Sequence, residues 1–145
     1  MKILIDADSC PKMARELAER RGAKLGLRVI FAANRAIPCG GGAEMIICPG
    51  GDNSADDRIT ELAESGDIAI TRDVPLAKRL VEKDVFVISD RGRVYTKENI
   101  NELLSLRNFM TELADNGLGV ERTANYGKRE LKKFADELEK LLKGK

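Results

Sequence analysis

Short apolar runs that do not alternate with polar residues constrain the fold of this chain more than any other feature. They are Ile3-Leu4-Ile5, Val29-Ile30-Phe31-Ala32, Met45-Ile46-Ile47-Cys48, Ile68-Ala69-Ile70 and Val85-Phe86-Val87-Ile88. Strands that read this way are buried on both faces, which favours a parallel sheet covered by helices on each side. The spacing predicts strands over 2–5, 27–32, 44–48, 68–71 and 84–88. The stretches between them carry helical periodicity or turn residues, and helical connections between parallel strands are right-handed. The expected fold class is therefore α/β, a three-layer arrangement with a mostly parallel central sheet of four or five strands flanked by helices. At 145 residues the chain is expected to form one domain with its own core.

The helices announce themselves at their starts. Pro11 stands where a first helical turn can use it, because its missing N–H has no partner there in any case. Met13, Ala14, Leu17 and Ala18 follow at helical spacing, with an expected end near Gly22. Ser54 with Asp57 resembles a capping box before Ile59, Leu62 and Ala63. Pro75 opens another helix through Leu76, Ala77, Leu80 and Val81. From about residue 96 the chain reads as helical, with Thr96 as a cap. One helix carries Ile100, Leu103 and Leu104, and a second runs from Leu106 to Asn116. The last helix, 128–142, has Leu131, Phe134, Ala135, Leu138, Leu141 and Leu142 on one side and charge on the other. Covering the sheet or another helix is its expected role, with a homodimer contact as the alternative.

Acidic residues recur where predicted strands end. Asp6 and Asp8 follow the first, Asp73 the fourth and Asp90 the fifth, while Asp56 lies at a helix start preceded by Asp52 and Asn53. Ligands in open α/β sheets bind at the carboxyl ends of strands. A carboxylate cluster without His suits a hard cation, Mg²⁺ or Mn²⁺, which can orient water and polarise a phosphodiester. The plainer reading is that each Asp is a turn or cap residue. It accounts for Asp57, and Ser89-Asp90-Arg91-Gly92 is also an ordinary turn. Asp67 and Asp84 precede strands and fall at the opposite end of the sheet.

Charge and cysteine content narrow the remaining choices. The 25 Lys and Arg nearly balance 24 Asp and Glu, so net charge neither demands nor excludes a nucleic-acid partner. Arg35, Arg72, Arg91, Arg93, Lys97 and Arg107 lie near element ends, where they can hold backbone phosphates or pair with the carboxylates. There is no His, which removes the commonest general base. Three cysteines, Cys10, Cys39 and Cys48, do not make a disulfide scaffold. Cys39 and Cys48 can pair, and Cys10 is either a helix-start thiol or a buried small residue. The glycine run at 40–42 lacks the Lys-Ser or Lys-Thr of a Walker loop and reads as a connection. With no membrane-length apolar segment and no signal-peptide pattern, a cytoplasmic protein is expected, without membrane association.

Several motifs together resemble the UPF0178/DUF188 (YaiI/YqxD) family. They are Asp6-Ala7-Asp8-Ser9-Cys10-Pro11, Ala33-Asn34, Ala55-Asp56 with Ile59, and the segment from Gly66-Asp67 through Thr71-Arg72-Asp73 to Pro75-Leu76-Ala77. Arg91-Gly92 with Tyr95-Thr96 and the stretch Leu104 to Met110 complete the set. The family is similar to PIN-like nuclease domains, including the NYN group, which gather carboxylates at strand ends and cut RNA with divalent metal. The resemblance implies one PIN-like domain over 1–145, with Asp6, Asp8, Asp56 and Asp73 as catalytic residues holding Mg²⁺ or Mn²⁺. It implies Asn34 and Thr71 nearby, and with Arg72, Arg91 and Arg107 these form the expected substrate-binding set for RNA or single-stranded nucleic acid. Relatives often carry Phe-Asp-Val-Ala-Asp where this chain has Asp52-Asn53-Ser54-Ala55-Asp56, and Asp where it has Asn108. Their Asn-Pro-Arg-Gly is Ser89-Asp90-Arg91-Gly92 here, so Asp90 is not carried over as a ligand. The expected activity is metal-dependent hydrolysis of RNA phosphodiesters. The alternatives are a non-catalytic nucleic-acid-binding module, a metal-dependent phosphatase acting on a small substrate, and a protein-interaction role.

Overall fold

A computed structural model describes residues 1–8, 10–34, 37, 43–48, 54–115 and 126–143. The expectations that rest on Ser9, Arg35, Cys39, the glycine run, Asp52 and Asn53 lie outside those residues, including the Cys39–Cys48 pairing. Eleven elements follow in order: β1 (Lys2–Asp6), α1 (Lys12–Lys24), β2 (Arg28–Ala33), β3 (Ala43–Ile47), α2 (Ser54–Leu62), β4 (Ile68–Ile70), α3 (Val74–Val81), β5 (Phe86–Ile88), β6 (Val94–Tyr95), α4 (Ile100–Asp115) and α5 (Lys128–Lys143).

Among the described residues the sheet has six strands in the order β3-β2-β1-β4-β5-β6. The first five are parallel, and β6 runs antiparallel to β5, with Val87 opposite Tyr95 and Ile88 opposite Val94. The sheet is thus mixed and one strand larger than the sequence suggests. Val94-Tyr95 is too short to show a period, and charged Arg93 and polar Thr96 flank it. A second difference is that α4 is continuous through Leu106, because no Gly or Pro stands between 100 and 115 to break it. A third is α1, which runs past Gly22 to Lys24. Gly22 is there for space, since a Cβ on it would come within 2.3 Å of a Val29 methyl.

The alternation of side chains along a strand divides the core in two. Ile3 and Ile5 of β1 face one way with Val29, Phe31, Ile68 and Ile70, under Ala14 and Ala18 of α1 and Phe134, Leu138 and Leu142 of α5. Leu4 faces the other way with Ile30, Ala69 and Val87, under Ile59 of α2, Leu76 and Leu80 of α3 and Ile100 of α4. Three layers result. The stripe on α5 is spent on covering the sheet, as expected, and Arg21 of α1 pairs with Glu139 of α5 across that layer. No helix among the described residues is long and apolar enough to cross a membrane.

Candidate active site

Strand parity places the first carboxylate. Asp6 is an even position of β1, so its side chain continues the face of Leu4 toward α2 and α3. Both helices begin at that end of the sheet. Asp56 lies in the first turn of α2. Asp73 is the N-cap of α3, accepting the Leu76 N–H at 3.3 Å, with Pro75 in the first turn behind it. Three elements therefore deliver three carboxyls to one place.

Their mutual influence shows at Asp56. The Asp56 carboxyl is pushed up to about 7 by burial first, then by the charges of Asp73 and Asp6 and by a hydrogen bond with Asp73, against a smaller opposing pull from Arg79. Burial and like charge act in the same direction on a carboxyl group. Asp6 is 7% exposed and accepts the Thr71 hydroxyl at 2.9 Å; the same Thr71 oxygen accepts the Asp73 N–H at 3.0 Å. Thr71 thus connects the ends of β1 and β4 and sets both acids.

The other expected residues occupy the surroundings. Asp8 stands beyond the end of β1, exposed, and accepts the backbone N–H of Asn34 at 2.8 Å. Asn34 Oδ1 lies 3.5 Å from the Ser54 hydroxyl, which donates to the Cys48 carbonyl at 2.8 Å. This chain of contacts joins β1, β2, β3 and the start of α2 along one rim. Asp57, read from the sequence as a first-turn residue, also pairs with Arg79 of α3 at 3.0 Å. Arg72 is bonded through its guanidinium to Asp90. Arg91 lies 5.7 Å above the Tyr126 ring and 3.8 Å from Glu130. Arg107 is exposed on α4, within 3.4 Å of Asn108. At the opposite end of the sheet, Asp67 accepts the Lys2 backbone N–H at 3.1 Å and its ammonium at 2.7 Å.

Cys10 is buried, and burial followed by the charge of Asp90 pushes its thiol up to about 12. It is a packing residue beneath the site. The sequence presents Asp90 as a strand-exit or turn residue and does not signal that it is buried, at 2% exposed. Its burial follows from the β4–β5 pairing that sets its turn against Arg72, and nothing in the linear order signals that. An apolar cleft of about 290 Å³, lined by Val85, Phe86, Val94, Lys97 and Leu141 among others, opens at the amino end of β5. Asp6, Asp56 and Asp73 are not among its lining residues.

Among the described residues no three or more His, Cys, Asp or Glu side chains are set as a ready coordination sphere. Part of each carboxyl is committed: Asp6 to Thr71, Asp73 to the first turn of α3, Asp56 to Asp73. The donor chemistry nevertheless fits a hard cation, because the acids supply only oxygen, and gathering such groups without positive charge is costly.

Comparison with known proteins agrees with the motifs. The model of the family described as "Uncharacterized BCR, YaiI/YqxD family" (DUF188) matches residues 4–144. A UPF0178 protein of Treponema denticola is 52% identical over 142 residues, covering 98% of this chain and 92% of that one. A UPF0178 protein of Treponema pallidum is 44% identical, covering 97% and 80%, and one of Pseudomonas putida strain W619 is 38% identical, covering 98% and 96%. No solved structure matches the chain significantly. The chain belongs to the UPF0178/DUF188 (YaiI/YqxD) family.

Proposed function

We propose that this protein is a PIN-like, divalent-metal-dependent hydrolase of RNA phosphodiesters. The observation that supports this is the meeting of Asp6, Asp56 and Asp73 at the carboxyl end of a parallel sheet, where burial and then the charges of its neighbours raise Asp56 to about 7. Asp6, Asp56 and Asp73 would hold Mg²⁺ or Mn²⁺, with Asp8 contributing from the rim. A bound cation supplies a water made acidic and charge stabilisation at the phosphorus oxygens. The chain's own part is positional. Thr71 fixes the rotamer of Asp6 and the backbone of Asp73, and the first turn of α3 fixes the Asp73 carboxylate. No covalent nucleophile is needed, which agrees with a buried, strongly protonated Cys10.

Calorimetric titration with Mn²⁺ at pH 7.5 tests the metal site. Wild-type protein is expected to bind, with Asp56→Asn and Asp73→Asn each weakening binding at least about tenfold. Incubation of varied RNA, single-stranded DNA and a phosphomonoester panel with Mn²⁺ tests the activity. Cleavage of RNA that both variants lose is the expected result. Mn²⁺ binding without turnover of any RNA would end the hydrolase reading, and turnover confined to phosphomonoesters would replace it with a phosphatase.

A further inference from the structure

The turn after β5 carries a carboxylate that the acidic centre does not use. Its backbone is closed on itself: the Ser89 N–H donates to the Arg93 carbonyl at 2.8 Å, and the Ser89 hydroxyl accepts the Arg91 and Arg93 amides at 3.2 and 3.1 Å. The Tyr126 hydroxyl donates to the Asp90 carbonyl at 2.6 Å, holding the turn from the side of α5. The Asp90 side chain is thereby turned inward, where it takes Nε of Arg72 on one oxygen at 3.2 Å and Nη2 on the other. Two parallel bonds of this kind fix the plane of a guanidinium as well as its position.

The two partners are unequally buried. The Asp90 side chain is 2% exposed and that of Arg72 is 47% exposed. An arginine has five N–H donors, of which this pairing uses two. Arg72 also follows Thr71 and precedes Asp73 in the chain, so its backbone belongs to the loop that sets two acids of the centre. At the same end of the sheet as the acids, Arg72 thus offers an oriented cation with donors to spare.

We propose that Arg72 receives a non-bridging phosphate oxygen of single-stranded RNA at the rim of the acidic centre, and that Asp90 is the positioning residue that presents it. This rests on the phosphodiester reading above. Asp90 makes no contact with substrate in this arrangement. It removes the rotational freedom of a long side chain before the ligand arrives, which is where preorganisation gains affinity. A lysine at 72 keeps the charge and loses the two-pronged geometry, so the change is not conservative here.

The test measures binding of an end-labelled single-stranded oligoribonucleotide by fluorescence anisotropy in EDTA at low salt. Mn²⁺ calorimetry and thermal melts are run on the same proteins. Arg72→Lys and Asp90→Asn are each expected to weaken RNA binding about tenfold, the factor a charge-assisted hydrogen bond carries. The double variant is expected to be no weaker than the worse single one, because both changes remove the same contact. Mn²⁺ affinity is expected to stay within about twofold of wild type, since neither residue is a ligand. Unchanged RNA binding in Arg72→Lys overturns the proposal, as do additive losses or a parallel loss of Mn²⁺ affinity. If Asp90→Asn does not fold, the half-exposed Arg72→Lys decides alone by the same criterion. Wild-type protein that binds RNA through Arg72 yet neither takes Mn²⁺ nor cuts RNA retires the hydrolase reading and leaves this one standing. Wild-type protein that binds no RNA overturns this one.

Discussion

Asp56 keeps its proton at pH values where an ordinary aspartic acid, with a pKa near 3.9, has lost it. The sign of the consequence follows from proton counts. Between about pH 4 and about 7 the folded chain holds a proton on Asp56 that the unfolded chain does not, so this residue makes stability fall as pH rises through that window and level off above it. Asp56→Asn is expected to raise the melting temperature of metal-free protein at pH 8 and to change it little at pH 4, read as the difference between variant and wild-type melts across that range. Mn²⁺ at pH 8 is expected to raise the wild-type melting temperature more than that of Asp56→Asn. Cys10 gives a simpler expectation. With its thiol held near 12, it stays unmodified by iodoacetamide at pH 8 in native protein and reacts in denaturant, as peptide mapping reads out. The acids of the centre were legible in the sequence because each follows an apolar run or opens a helix, positions with a fixed place in an α/β sheet. The Asp90–Arg72 pair was not, because residues 18 apart meet only after β4 and β5 have paired.

At the scale of elements, the turn between β5 and β6 and the final helix are built as one piece. Gly92 has φ of +84°, and a Cβ placed there would lie 2.8 Å from the Lys133 carbonyl carbon and oxygen of α5. Gly26, after α1, has φ of +72° with open space around it. The two separate backbone strain from close approach. Gly26→Ala is expected to cost about 1 kcal/mol, the strain of a left-handed residue alone. Gly92→Ala is expected to cost roughly 3 kcal/mol or more, because helix backbone cannot give way as a side chain can. Urea unfolding of the two variants makes the comparison. Helices with Pro or a cap at the start and an unbroken stripe were readable in advance. Thr96 stands a turn ahead of α4, where it exchanges hydrogen bonds with Asn99 at 3.1 and 2.8 Å. The strand β6 was not readable, since two residues carry no period and its pairing is supplied by β5.

Across the whole molecule, the two ends of the sheet are held by opposite strategies. At the amino ends, Asp67 is buried against Lys2. Burial alone would raise its carboxyl, but hydrogen bonds from the Lys2 ammonium and from the Glu64 and Lys2 amides hold it below the usual value. A carboxylate lowered on folding adds stability that is present above its unfolded pKa and lost as pH falls through the folded one. Asp67→Ala is expected to cost about 3–5 kcal/mol at neutral pH, the loss seen when one partner of a buried ion pair is removed, by urea denaturation. At the carboxyl ends like charges are brought together instead, and stability is given up at the candidate site. The α/β class and the side of the sheet that carries the acids could be read from the pattern of runs and breaks. Which face each helix covers could not, because that depends on the sheet order β3-β2-β1-β4-β5-β6. That order has a temporal side. Ile3 and Ile5, near the start of the chain, share a core with Phe134, Leu138 and Leu142, near its end. During synthesis that face of the central strand therefore has only α1 to cover it until α5 has been made, and a nascent chain stalled before residue 128 would present the uncovered part of that apolar face to whatever waits nearby.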